Sequence, residues 1–170
     1  MNVQECIRKR RAIREFLDKA VPDEVILKIL HAGRLAPSQR NRQPWHFIVV
    51  KNRETLRRLA EAAPYGGYIA GAPLAIAVVL QNAKMPQFDS GRCIENMLLA
   101  AWEEGVGTCF NSGFDQEKVK AALHIPPEME VAAIMPYGYP KEPTTKRRKD
   151  RKPLAEIAHL ETFGTPLPGA

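Results

Sequence analysis

The chain has 170 residues, of which 45% are hydrophobic and 26% charged, a balance typical of a soluble globular domain. Its longest apolar run, at 72–80, is much shorter than the ~20 residues of a membrane helix, so we expect no membrane span. The formal net charge of +6 leaves nucleic acid and anionic small molecules open as partners. The first residues contain no apolar signal region, so we expect a cytoplasmic protein.

Hydrophobic periodicity predicts a mixed succession of helices and strands. The continuous apolar stretch at 72–80 predicts a strand buried on both faces, and the i, i+3, i+4 spacing in 90–104 predicts a central helix. In chain order, we expect helices at 3–9, 23–33, 54–63 and 90–104, a short helix capped by Asp115, and strands at 46–50, 72–80, near 106–111 and at 131–140.

The last part of the chain, residues 140–170, contains little core-forming material. Such an extension is either disordered or packed on another subunit. The positions that favour packing are Leu154, Ile157, Ala158 and His159. We therefore expect one domain over residues 1–170, with an extended arm that wraps a partner chain.

The cysteines and histidines indicate no metal or nucleophilic centre. Cys6, Cys93 and Cys109 are far apart and form no CxxC or zinc-type spacing, so we interpret them as small buried side chains. The four histidines are isolated, and no Ser-His-Asp or Cys-His arrangement is apparent.

Three polar segments are candidates for ligand binding. RKRRAIREF (8–16) is rich in arginine, whose planar guanidinium suits phosphate, although a charged helix end would look the same. APSQRNRQPW (36–45) is stiffened by proline and offers donors and acceptors that suit a planar heterocycle or, equally, an internally bonded turn. In GVGTCFNSGF (105–114), glycines allow a backbone N–H to approach a ligand.

The order and spacing of these segments resemble the FMN-dependent nitroreductase family. The resemblance runs from about residue 5 to residue 164. Its motifs are RRAIR (10–14), APSQRNRQPW (36–45), DSGRCIENMLLAA (89–101), GVGTCFNSGFD (105–115), YGYP (137–140) and KDRKPL (149–154).

The resemblance implies an α+β fold, with a central mixed or antiparallel sheet flanked by helices, in an intertwined homodimer whose C-terminal arms are exchanged. It also implies FMN at the dimer interface, NADH or NADPH as electron donor, and a nitroaromatic or quinone-type acceptor. The implied cycle is ping-pong, in which donor and acceptor use one open flavin face in turn.

The resemblance also assigns residues to the cofactor. Arg10, Arg11, Ala12 and Arg14 would face it, with Arg10 at the phosphate and Arg14 stabilising the negative charge that reduction places on the pyrimidine side. Lys149 and Arg151 would complete the phosphate site. The partner chain would hold the ring edge with Pro37, Ser38, Asn41 and Gln43. Ser112 and Gly113 match the turn whose backbone amide points at flavin N5.

Two departures from the family pattern concern specific side chains. Position 12 is alanine where the family often has serine, so one hydroxyl contact is missing. Arg40 and Arg42 stand where small or apolar residues are usual. They are either solvated charges or a preference for an anionic substrate or a phosphorylated donor.

Two alternatives stay open. The basic block at 146–152 and the pI near 9.4 would suit a nucleic-acid-binding domain. The same fold could also dehalogenate aromatics, rearrange flavin or only bind it, although such reactions usually need lid segments for which 170 residues leave little room.

Overall fold

A computed structural model of the chain describes residues 1–142 and 150–170. The elements in chain order are α1 (Val3–Lys9), α2 (Asp23–Arg34), β1 (Trp45–Val50), α3 (Arg53–Glu61), β2 (Leu74–Leu80), α4 (Pro86–Glu103), β3 (Gly107–Thr108), α5 (Gln116–Leu123) and β4 (Glu130–Gly138). Short 3₁₀ turns lie at Gln39–Asn41, Gly67–Ile69 and Leu154–Glu156. No helix in the described ranges is long and apolar enough to cross a membrane.

The strands form one sheet in the order β1-β2-β4-β3, in which every neighbouring pair is antiparallel. All seven residues of β2 are buried. Its even-numbered side chains, such as Ile76, pack with α2 and α4, whereas its odd-numbered ones, such as Ala77, pack with residues of α3 and α5. Helices therefore cover both faces of β2, which confirms the predicted α+β fold and the burial of this strand.

Helix α4 begins four residues before the predicted start at residue 90. Pro86 opens its first turn, where a missing N–H costs nothing, and the Ser90 hydroxyl donates to the Pro86 carbonyl oxygen at 2.6 Å. Asp89 and Ser90 are buried although they are polar. The apolar pattern therefore fades before the helix does, and this is why periodicity placed the start too late.

Strand β3 is shorter than the predicted strand near 106–111. After Thr108, residues 109–110 leave the ladder, and Asn111 returns only for a single bridge to Ile134 in β4. On its other side β3 is joined by the segment after α1, since Ile13 N–H donates to the Thr108 carbonyl oxygen at 3.0 Å. A Cβ on Gly107 would lie 2.4 Å from Ile13 Cγ1, so only glycine permits this approach.

All three cysteines are free and buried, as predicted. Burial raises the pKa of the Cys93 thiol to about 12, so this group stays protonated at neutral pH. Its environment is therefore that of a small hydrophobic side chain in the core beneath α4.

The described tail, residues 150–170, makes hydrogen bonds only within itself. Leu160 N–H donates to the Thr165 carbonyl oxygen at 2.9 Å, and the His159 and Phe163 rings lie 4.5 Å apart. Its exposed apolar side chains are Leu154, Ile157, Leu160, Phe163 and Leu167.

Candidate functional site

The basic segment after α1 runs along the edge of the sheet. The capping box between Asn2 and Glu5 fixes the start of α1, and Arg11 closes its end. Arg11 Nη1 donates to the carbonyl oxygens of Arg8, Lys9 and Arg10 at 2.9, 2.8 and 3.1 Å. This guanidinium therefore satisfies helix carbonyls that would otherwise lack partners.

The residues that follow α1 contact first α4 and then β3. Arg10 Nε lies 3.6 Å from Glu95 Oε1 of α4, and its side chain is largely buried. Ala12 forms a parallel bridge with Thr108. Two of the cofactor residues predicted from the sequence are thereby held against rigid elements.

A chain of contacts joins Arg14 to the turn after β3. The Arg14 guanidinium lies 5.6 Å from the centre of the Tyr68 ring, within the range of a cation–π contact. Asn111 Nδ2 donates to the Tyr68 hydroxyl at 3.2 Å, and Gly113 N–H donates to Asn111 Oδ1 at 3.1 Å. The structure thus brings together Arg14 and Gly113, which are far apart in sequence.

Burial raises the pKa of the Tyr68 hydroxyl, with a further contribution from Cys109, so the phenol is neutral at physiological pH. A neutral hydroxyl can accept from Asn111 while keeping its own proton to donate. Tyr68 therefore serves as a fixed junction between the basic segment and the turn.

One side-chain group and one backbone group of this region lack a hydrogen-bond partner in the described part of the chain. Thr108 Oγ1 is buried without a hydrogen bond, although Thr108 is only 3% exposed. The Ser112 N–H also makes no hydrogen bond among residues 1–142 and 150–170. Native proteins rarely leave buried polar groups unpaired, so the Thr108 hydroxyl is an exception among the buried side chains that the structure describes.

The loop 36–45 is closed by its own polar groups. Gln43 N–H donates to Ser38 Oγ at 2.9 Å, and Gln43 Nε2 donates to the Asn41 carbonyl oxygen at 3.3 Å. The backbone has positive φ at Arg40 (51°), Asn41 (54°) and Gln43 (50°), a conformation that costs free energy in a non-glycine residue.

Helix α4 supports the loop from below. Asp89 Oδ1 accepts the Gln39 N–H at 3.0 Å, and Asp89 is only 1% exposed. The internal-turn interpretation accounts for the Ser38 hydroxyl acting as acceptor. The amide side chain of Asn41 makes no hydrogen bond to any residue that the structure describes.

The predicted site residues fall into separate groups in one chain. Across the described residues, no hydrogen bond or ion pair joins loop 36–45 to the basic segment or to the turn at 111–113. Pro37 is exposed. Arg151 is also exposed and its Nη1 donates to the Asp150 carbonyl oxygen at 2.7 Å, whereas Lys149 lies outside the described residues.

Sequence reasoning missed Tyr68, Thr108 and Asp89. Tyr68 lies in a glycine-rich connector with no motif of its own, and its partners are distant in sequence. The candidate segments also contain two large aromatic side chains, Trp45 and Phe110. Trp45 is buried in the core, whereas Phe110 is 45% exposed beside the turn.

The fold is that of a known family. The sequence profile of the nitroreductase family matches residues 7–66 and 65–139, so the chain belongs to this family. A Methanothermobacter thermautotrophicus protein, provisionally assigned as an NADH dehydrogenase/NAD(P)H nitroreductase, is 38% identical over 151 residues, covering 84% of this chain and 79% of the relative.

Solved structures of nitroreductases have the same fold as this chain. A provisionally assigned nitroreductase of Desulfovibrio desulfuricans, in complex with FMN, has a TM-score of 0.85 at 32% identity, covering 96% of this chain and 98% of its own. An FMN-dependent nitroreductase of Clostridium difficile has a TM-score of 0.84 at 26% identity, covering 94% of this chain and 99% of its own.

Some relatives are named for other reactions. An iodotyrosine deiodinase of Thermotoga neapolitana is 25% identical over 84% of this chain and 90% of its own length. A 5,6-dimethylbenzimidazole synthase of Rhodospirillum rubrum is 28% identical over 78% of this chain and 79% of its own.

Proposed function

We propose that this chain is an FMN-dependent NAD(P)H oxidoreductase that reduces nitroaromatic or quinone-type acceptors in a ping-pong cycle. The observation that carries the proposal is the contact chain from Arg14 through Tyr68 and Asn111 to Gly113. It connects a cation to a backbone turn through the side chains of Tyr68 and Asn111. The FMN bound to the Desulfovibrio relative supports the choice of cofactor.

The described residues fit a flavin phosphate and ring at several points. The basic segment supplies Arg10, Arg11 and Arg14 beside Ala12, and Arg151 with Lys149 would complete the phosphate site. The unpaired hydroxyl belongs to Thr108, the residue that bridges Ala12. Position 12 is where the family often has serine, so Thr108 offers a polar group next to that position.

Of the two predicted turn residues, Ser112 has the available backbone donor. Gly113 N–H is already used by Asn111 Oδ1, whereas Ser112 N–H has no partner in the described ranges. We assign Ser112 N–H as the donor toward flavin N5. Gly113 then serves to hold the turn in shape.

FMN held by the basic segment and the turn at 111–113 would supply the chemistry of hydride transfer between the reduced nicotinamide and the acceptor. Arg14 provides a positive charge whose position is set by the Tyr68 ring, where it would stabilise negative charge on the pyrimidine side. Fixed charges of this kind need no reorganisation during the reaction. The chain's task is therefore to bind, orient and tune.

The proposed active unit is a homodimer. Within one chain, loop 36–45 and the basic segment make no direct hydrogen bond in the described residues. If Pro37, Ser38, Asn41 and Gln43 hold the ring edge of the partner's flavin, this separation is explained. The exposed apolar side chains of the tail would cover the partner subunit.

Initial-rate kinetics test the ping-pong proposal. With a nitroaromatic or quinone acceptor varied at several fixed NADH or NADPH concentrations, we expect parallel double-reciprocal lines. Intersecting lines would mean that donor and acceptor bind together, which contradicts the use of one face in turn.

The relatives named for deiodination and benzimidazole synthesis support one alternative, a different reaction on the same flavin site. Flavin reduction by NAD(P)H without turnover of any nitroaromatic or quinone would favour it. The nucleic-acid hypothesis rests on block 146–152, of which residues 146–149 lie outside the described chain.

A further inference from the structure

A basic cleft opens at one end of the sheet, beside the loop that contains Gln43. It has a volume of about 410 Å³. Its lining consists of cationic, imidazole and amide side chains with one proline and no carboxylate: Arg42, Gln43, Pro44, His46, Gln81, Asn82 and Lys84. Such a lining is rich in hydrogen-bond donors and would favour an anion.

The walls of the cleft are fixed to each other. Gln81 N–H donates to the Pro44 carbonyl oxygen at 2.8 Å, and His46 Nε2 lies 3.2 Å from Gln81 Oε1. Both walls continue into the antiparallel pair β1–β2. His46 and Gln81 are therefore held in place by the sheet, which lowers the entropy cost of their binding a ligand.

The arginine and the lysine of the cleft have no acidic partner among residues 1–142 and 150–170. Arg42 Nη1 lies 3.4 Å from the neutral Gln39 Oε1. In the described ranges, neither Arg42 nor Lys84 forms an ion pair. Other surface cations do, as Lys28 and Glu104 show at 2.8 Å.

We propose that this cleft binds the phosphate monoester group of a small-molecule ligand of the enzyme. A guanidinium fork, an ammonium group and amide donors together match the oxygens of a phosphate dianion. Gln43 belongs both to this cleft and to the loop assigned to the flavin ring edge. A ligand at the flavin could therefore reach the cleft with a phosphate substituent.

The proposal rests on the proposed function, and it separates two arginines that the sequence left together. Arg42 lines the cleft, whereas Arg40 does not. The phosphate monoester has two sources: the 2′-phosphate that NADPH carries and NADH lacks, or a phosphorylated acceptor, for which inorganic phosphate serves as the probe.

The first test measures KM for NADPH and NADH in FMN-loaded Arg42→Gln, Lys84→Gln and Arg40→Gln. Arg40→Gln is the matched control, because it removes the same charge from the same loop outside the cleft. If the donor is the source, Arg42→Gln and Lys84→Gln each raise KM for NADPH about tenfold and leave KM for NADH unchanged.

The second test titrates inorganic phosphate into the same FMN-loaded proteins by calorimetry, with sodium chloride at equal ionic strength as control. If a phosphorylated acceptor is the source, the wild type binds the inorganic phosphate probe and Arg42→Gln and Lys84→Gln weaken that binding about tenfold, while both donor KM values stay unchanged.

The proposal is overturned if Arg42→Gln and Arg40→Gln behave alike in both measurements, or if KM rises equally for both donors. The phosphate titration does not depend on flavin reduction. A protein whose flavin neither donor reduces would therefore refute the proposed function. The titration would still test whether the cleft binds phosphate.

Discussion

Tyr68 links Arg14 to the turn at 111–113, the two parts of the proposed flavin site. Its hydroxyl accepts from Asn111 and its ring lies beneath Arg14. Neither partner is near it in sequence. Sequence motifs cannot identify such a residue, because its contacts form only when the connector 64–72 packs against the turn at 111–113.

Tyr68→Phe removes the acceptor of Asn111 and leaves an amide without its partner, at a cost of about 1 kcal/mol. We expect FMN binding to weaken several-fold. The midpoint potential should also become more negative, because the turn and Arg14 are less firmly placed. Flavin fluorescence titration and dye-equilibrated potentiometry measure the two effects. In the control variant Tyr65→Phe, at a position that is 89% exposed, both should be unchanged.

The polar residues of loop 36–45 show what side-chain chemistry alone can predict about a loop. Their chemistry indicated either ligand binding or an internal turn, and the Ser38 hydroxyl in fact closes the loop by accepting Gln43 N–H. The ligand role of Asn41 stays a prediction. Composition cannot separate the two roles, since the same hydroxyl or amide serves both.

At the scale of elements, α4 acts as the support of that loop. The buried carboxylate of Asp89, in the first turn of α4, accepts the Gln39 N–H. Sequence periodicity predicted a central helix here but not its first four residues, because Asp89 and Ser90 are buried for their hydrogen bonds rather than for their hydrophobicity.

Asp89→Ala leaves the Gln39 N–H without an acceptor, which we expect to lower the free energy of unfolding by about 1–3 kcal/mol. It should also speed proteolytic cleavage within residues 38–43. Urea denaturation and limited proteolysis measure these effects. Asp89→Asn keeps an oxygen at Oδ1 and should retain most of the stability. Equal losses in both variants would show that the hydrogen bond to the loop is not what matters.

The close approach of β3 and the basic segment at Gly107 leaves no room for a side chain. Gly107→Ala places a Cβ 2.4 Å from Ile13 Cγ1, so the segment carrying Ala12 and Arg14 must move. We expect a loss of about 1–3 kcal/mol in urea denaturation and weaker FMN binding.

Gly91→Ala provides the opposite control. Gly91 lies within α4, and an added Cβ meets no atom within 4 Å. This variant should gain about 0.5–1 kcal/mol because alanine loses less backbone entropy in a helix. If both variants changed stability in the same direction, the steric account of Gly107 would be wrong.

For the whole molecule, most of the fold could be predicted from the sequence. The apolar run of β2 and the stripe on α4 specify the core, and the order of motifs specified the family that the profile match confirms. The strand order β1-β2-β4-β3 could not be read locally, since it depends on pairings between distant segments. The end of β3 at Thr108 was also not predicted, because residues 109–110 leave the ladder and Asn111 returns only for a single bridge.

The tail bears on the assembly. Phe163 is 94% exposed, and four other tail residues are exposed apolar side chains. We expect light scattering to give twice the 19.0 kDa chain mass. Removing residues 154–170 should shift the protein toward monomer and weaken FMN binding at least tenfold. Tyr65→Ser, at an exposed position outside the tail, should leave the mass unchanged. A full-length monomer with a protease-sensitive tail would contradict the dimer.

We expect this family member to transfer electrons from a reduced nicotinamide through FMN. The most direct test mixes the FMN-loaded protein anaerobically with NADH and, separately, with NADPH in a stopped-flow spectrophotometer. We predict that at least one donor bleaches the flavin absorption band and that a quinone added afterwards restores it. A flavin band that neither donor bleaches would contradict the oxidoreductase assignment.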